Sequence, residues 1–131
     1  MKRINAILFV SLLVLSTGLF AQDQSEIKVE EIAVCKSVEN RTPVGIDSVF
    51  SSDIGKLYCY TKLKSQNDKY TISHVWFYNN KQMTKIDLNV KLKSWRTWSE
   101  KTIYPKWKGD WRVEVQDSNG NVLSKIAFKI K

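Results

Sequence analysis

From residue 27 onward apolar and polar residues alternate in short runs, and no stretch keeps the spacing of an amphipathic helix. The clearest pattern is Gly109 to Ile130. Trp111, Val113 and Val115 alternate with Arg112, Glu114 and Gln116, and a second run carries Val122, Ile126, Phe128 and Ile130. Asn119-Gly120 between them predicts a tight hairpin turn, because both residues tolerate φ > 0. In that register Ser118 faces Asn121, Val113 faces Ile126, Trp111 faces Phe128, and Glu114 lies opposite Lys125. Apolar side chains gather on one face and opposite charges pair on the other.

The same reading predicts five earlier strands. Ile27 to Val38 changes parity near Glu30-Glu31, where a bulge restores the alternation. Glu39 to Ser52 is rich in turn residues and reads as a loop, tied to the core by Phe50. Lys56 to Lys64 places Leu57, Cys59, Thr61 and Leu63 on one face. Tyr70 to Tyr78 is aromatic and apolar on both faces, which marks an interior strand. Asn79-Asn80 turns it into Gln82 to Val90, and Trp95 to Ile103 precedes a loop from Tyr104 to Lys108 containing Pro105. Seven strands at this spacing predict an all-β fold, an antiparallel seven-stranded immunoglobulin-like sandwich, with a small barrel as the alternative.

The first 21 residues have a different pattern. Lys2 and Arg3 precede an apolar run, Ile7 to Leu15, interrupted only by Ser11, and Ala21 offers a cleavage position. This is the layout of a cleaved export signal, and the apolar run is shorter than the ~20 residues a membrane span needs. Cleavage after Gly18 is the other reading. The expected organisation is a signal peptide over 1–21, a flexible lead-in over 22–26 and one β-sandwich domain over 27–131, acting in the periplasm or secreted. The formal charge of +8 includes Lys2 and Arg3, so the chain from residue 22 carries +6. All five tryptophans fall between residues 76 and 111.

Cys35 and Cys59 are the only cysteines. In an oxidising compartment the pair is expected to form a disulfide, with two buried free thiols as the alternative. His74, the only histidine, shares a strand face with Ile72 and Trp76 and reads as a structural residue. No nucleophile elbow, zinc-type spacing or phosphate loop is present, so no catalytic residue, metal or cofactor is expected.

The run Cys35 to Thr61, with Val38, Arg41, Pro43, Gly45, Phe50, Gly55 and Leu57-Tyr58-Cys59, is followed by His74-Val75-Trp76, Trp95-Arg96-Thr97-Trp98-Ser99 and Gly109-x-Trp111-x-Val113. In this order the motifs resemble the bacterial family known as domain of unknown function 2914, across nearly all of the chain after the signal. The resemblance implies a small all-β extracytoplasmic domain with no assigned activity or cofactor.

The window Lys91 to Arg112 interleaves seven Lys and Arg with four Trp and one Tyr. Flat rings stack on sugars and cations hold acidic groups. The expected function is therefore non-catalytic binding of an anionic cell-envelope glycan, with Arg96, Trp98, Tyr104, Lys106, Trp107 and Lys108 as platform and clamp. Trp107, in a loop between two lysines, is expected to be the most open tryptophan. The alternative is a protein-interaction or scaffolding domain whose Trp/Arg cluster is structural, with one of Trp95 and Trp98 stacked under Arg96 or Arg112. Nucleic acid suits the same chemistry but rarely meets an exported protein.

Overall fold

The computed structural model describes residues 26–131; the expected signal segment and the start of the lead-in lie outside the described residues. The structure is all-β. Seven long strands, β1 (Lys28–Cys35), β5 (Gly55–Lys64), β6 (Tyr70–Tyr78), β7 (Lys81–Val90), β8 (Ser94–Ile103), β9 (Gly109–Asp117) and β10 (Val122–Ile130), overlap the seven read from the alternation, the first of them ending at Cys35 instead of Val38. Three short strands, β2 (Ser37–Glu39), β3 (Thr42–Val44) and β4 (Val49–Phe50), correct the seven-strand count and the single loop expected over residues 39–52. Asn40 and Arg41 both adopt left-handed backbone, at φ 49° and 59°, and so close a two-residue β2–β3 turn that lacks the usual glycine. β4 pairs in parallel with β10 and carries Phe50 into the core at 3 % exposure. Among the described residues no helix is long and apolar enough to cross a membrane.

The strands form a three-stranded sheet of order β1-β5-β8, a five-stranded sheet of order β4-β10-β9-β6-β7, and the small β2–β3 ribbon. Residues from both larger sheets share one core, so the architecture is an open sandwich rather than a closed barrel. Val34, Leu57, Cys59 and Ile103 of the three-stranded sheet meet Trp76, Trp111, Val113, Phe128 and Ile130 of the other. Among the described residues β7 and β8 each end their sheet with one edge unpaired, on the same side of the sandwich.

Glu114↔Lys125, Val113↔Ile126 and Trp111↔Phe128 pair as expected, but the turn that sets them differs. Only Gly120 has positive φ, at 82°. Asp117 N–H donates to Asn121 O at 2.9 Å and Gly120 N–H to Asp117 O at 3.0 Å, so the loop is three residues long and Ser118 does not face Asn121. The ladder then shifts between Val122 and Ser124. That bulge absorbs the additional residue and restores the expected register. The Asp117 carboxylate caps the loop by accepting from the Asn119 and Asn121 amides; desolvation raises its pKa, and these bonds together outweigh that and lower it. Two-residue turns with both residues left-handed occur instead at Asn40-Arg41 and at Asn79-Asn80, the latter with φ 48° and 64°. The bulge expected near Glu30-Glu31 is present between Val29 and Glu31, and Glu30 faces Lys64 at 3.2 Å and Lys62 at 3.8 Å.

The expected disulfide is absent: Cys35 and Cys59 are both free and buried. The register explains why. Cys59 pairs with Val34 and points between the sheets, whereas Cys35 pairs with Tyr58 and points to the outer face. Cross-strand partners share a face and successive residues alternate, so the two sulfurs lie on opposite sides of one sheet. Burial, then the neighbouring Cys35, pushes the Cys59 thiol far up, and burial also raises Cys35. The β2–β3 ribbon lies across the outer face and covers Ala33, Cys35 and Tyr60, which are at most 3 % exposed.

Candidate functional site

His74 lies at the centre of the sandwich and is wholly buried. Its Nε2 bonds Thr61 Oγ1 of β5 and its Nδ1 bonds Ser99 Oγ of β8, each at 2.7 Å, and Trp76 Nε1 donates to the same Ser99 oxygen at 3.1 Å. Hydroxyls can donate or accept, so a neutral imidazole is satisfied in either tautomer. Desolvation lowers its pKa to about 4, and no carboxylate opposes that shift. His74 is therefore a neutral polar tie between the two sheets, as its strand-face position suggested, and is sealed from any substrate.

The six residues read as platform and clamp separate into two groups. Tyr104, Lys106, Trp107 and Lys108 occupy the β8–β9 loop. Arg96 and Trp98 lie toward the other end of β8; Arg96 to Ile103 spans about 23 Å at the rise of an extended strand.

At the loop lies Trp107, half-buried like Trp95 and Trp98 rather than exposed. It packs against the core, with Tyr104 edge-on at 4.6 Å, Trp111 at 6.0 Å, Tyr78 at 6.5 Å, and the Lys101 ammonium over its ring at 5.0 Å. Its carbonyl accepts from Trp111 Nε1 at 3.0 Å, and the Lys108 carbonyl accepts from Tyr78 Oη at 2.6 Å. Three rings and a cation thus pack around Trp107. Tyr104, 52 % exposed, with Lys106 and Lys108, forms the surface of this end.

At the other end, Arg41, Asp87, Leu88, Asn89, Lys91, Trp95, Arg96, Thr97 and Trp98 line an open cleft of about 460 Å³ between the free edges of β7 and β8. Trp95 pairs with Leu63 and faces inward; Trp98 pairs with Tyr60 and faces outward, so the two half-buried indoles flank the β8 edge. The Arg41 guanidinium lies over Trp95 at 5.4 Å, and Arg96 Nη1 donates to the Arg41 carbonyl at 3.2 Å, fastening the ribbon tip to β8. The ring under a guanidinium is thus Trp95 and its partner is Arg41, not Arg96 or Arg112. Arg112 lies instead on the outer face of the five-stranded sheet, 3.9 Å over Phe77 and bonded to Glu114 at 2.8 Å. Among the described residues no carboxylate lies within ion-pair distance of Arg41, Arg96 or Lys91. Arg41 and Trp95 were absent from the sequence-based site. The ribbon turn at Asn40-Arg41 lacks the glycine that would have announced it, and that β8 ends its sheet is a property of topology alone.

A larger hollow of about 670 Å³ at the start of β1, lined by Ile27, Val29, Lys64, Lys93 and Leu123 among others, has no aromatic side chain. No group of three or more metal-ligating residues occurs among the described residues.

An all-β sandwich with an aromatic and cationic cleft at its open side is the class that fold and geometry define. Residues 69–130, spanning β6 to β10, match the model of the family described as "Protein of unknown function (DUF2914)". The family read from the sequence is the family matched. The match holds the His74-Val75-Trp76, Trp95–Ser99 and Gly109-x-Trp111 motifs and does not extend to the Cys35–Thr61 run. No curated protein matches the sequence. Solved structures similar to it include a beta-glucosidase from Kluyveromyces marxianus, 11 % identical over 80 % of this chain with a TM-score of 0.45, and the GH3 beta-glucosidase of Bifidobacterium adolescentis, 8 % identical over 79 % with a TM-score of 0.46. This chain spans only 14 % and 17 % of those two proteins, and the likeness says nothing about its own activity.

Proposed function

We propose that this is an exported, non-catalytic binding module of the bacterial envelope, whose ligand is an anionic glycan held in the β7–β8 cleft. The observation that carries the reading is the pair of guanidiniums, Arg41 and Arg96, without carboxylate partners beside two half-buried indoles. Arginine forks match the geometry of acidic oxygens, and an indole face stacks on a sugar ring. Of the residues expected to bind, Arg96 and Trp98 belong to this site, whereas Trp107 serves the core rim. Export rests on the Lys2-Arg3 and Ile7 to Leu15 pattern and is tested by finding the mature N-terminus in a periplasmic or culture fraction.

The binding test is a tryptophan-fluorescence titration with uronate, sulfated, phosphorylated and neutral glycans at low and high salt. The expected result is a saturable change with an acidic glycan that weakens with salt and is lost in Trp98→Ala. Absence of any glycan response in the folded protein overturns the reading and favours the scaffolding alternative.

A further inference from the structure

We propose that the free edge of β7 is an interface between two copies of this chain, which pair antiparallel about a two-fold axis at Ile86 and join their five-stranded sheets into one. The inference goes beyond the glycan reading and does not rest on it, since Arg41, Arg96 and Trp98 stand outside the ladder.

β7 is paired to β6 on one side, and among the described residues no strand pairs with its other edge. A row of open N–H and C=O groups is a template for one more strand. Successive residues of β7 face opposite sides of the sheet. Thr84, Ile86 and Leu88 pair with Trp76, His74 and Ile72 and face the core, whereas Lys85 and Asp87 pair with Val75 and Ser73 and face outward. Ile86 and Leu88 are only half-buried at this open side of the sandwich. Lys85 and Asp87 are exposed, and among the described residues neither has an ion-pair partner. The Asp87 carboxylate accepts from Ser73 Oγ at 2.6 Å through Oδ1, which leaves Oδ2 for an ammonium.

A two-fold axis restricts the register. If one residue faces a second across the axis, the second also faces the first. Inner residues must also face inner ones, or one copy would turn its core outward. Only ladders centred on a single residue satisfy both conditions. Centred on Lys85, the ladder sets two ammonium groups against each other; centred on Asp87, it sets two carboxylates together. Centred on Ile86, it places Lys85 opposite Asp87 of the partner subunit on both sides of the axis. The same register sets Ile86 against Ile86 of the partner subunit and Thr84 against Leu88 of the partner subunit on the inner face. Ladders centred nearer either end of β7 are shorter. One register therefore pairs the free charges outside and covers the half-buried apolar side chains inside, and the strand that offers this match is β7 of a second copy.

The test is sedimentation equilibrium of the purified protein over a concentration series, with no glycan added. The expected result is a dimer. Lys85→Asp and Asp87→Lys each set like charges opposite one another at two points, and each is expected to weaken self-association tenfold or more. Both variants are expected to keep the wild-type melting temperature within a few degrees, because both side chains are exposed. An equimolar mixture of the two variants is expected to regain the association as a heterodimer. Lys85→Asp and Asp87→Lys combined in one chain are expected to regain it as a homodimer. A protein that stays monomeric up to millimolar concentration overturns the proposal. Self-association that neither single variant weakens, or that the mixture fails to restore, overturns it as well.

Discussion

Two clusters in this molecule are made of the same residue types from one stretch of sequence, and their surroundings give them opposite roles. At the β8–β9 end, Trp107, Trp111, Tyr78, Tyr104 and Lys101 close on one another, and Trp111 continues into the core through a stacked contact with Phe128 at 5.9 Å. At the other end of β8, Arg41, Trp95, Arg96 and Trp98 flank two strand edges that no described residue pairs. The first cluster lies where a connection folds over the end of both sheets, so each ring meets another. The second lies where the sandwich is open. Aromatic and basic composition is neutral between these roles; the position of a strand in its sheet decides.

The closed cluster and the core beneath it should dominate stability. Trp111→Ala removes a 2 % exposed indole and its bond to the Trp107 carbonyl, and should cost about 3–5 kcal/mol in urea unfolding. An effect below ~1 kcal/mol would mean that this end is not packed as described.

Next in size is the pH dependence set by His74. Its folded pKa of about 4 lies below the ordinary value of 6.5, so the unfolded chain binds the additional proton between those values. The stability contributed by the neutral, buried ring is then full above about pH 6.5 and is lost as pH falls toward 4. The total is roughly 3 kcal/mol. Denaturation series at pH 7, 6, 5 and 4 should show this decline, and His74→Gln should be less stable at pH 7 but flatter below it. A wild-type curve with no fall between pH 6.5 and 4.5 would contradict the sealed site.

The comparison itself is sharpened by a pair of smaller changes. Trp107→Ala should cost about 1–3 kcal/mol of stability and leave glycan binding intact. Trp98→Ala should change stability by less while removing the binding. The inverse pattern would exchange the roles of the two ends. The smallest effect concerns the thiols. Because Cys35 and Cys59 face opposite sides of their sheet, reductant should leave the melting temperature unchanged, and thiol titration of the unfolded protein should count two free groups.

Much of the fold was legible because alternation fixes strand positions, and the register of β9 with β10 followed from matching Trp111 with Phe128 and Glu114 with Lys125. The errors have physical causes. Asn119-Gly120 suits a two-residue turn, but the Asp117 carboxylate captures the loop amides and adds a residue, which the bulge at Leu123 hides from the rest of the ladder. The cysteines looked like a disulfide because sequence counts them without their faces. Of the residues singled out from the sequence, Arg96 and Trp98 line the cleft, whereas Trp107 packs against rings that come from β6, β9 and its own loop, neighbours that no local pattern announces. Arg41 joins Trp95 through a ribbon 54 residues earlier in the chain, and no local pattern signals that meeting.

The most direct test is to follow the five indole N–H resonances by NMR while an acidic glycan is added. Trp95 and Trp98 are expected to shift and saturate together while Trp76, Trp107 and Trp111 stay in place. A titration in which Trp107 moves and Trp95 and Trp98 do not would place binding at the closed end and contradict the account.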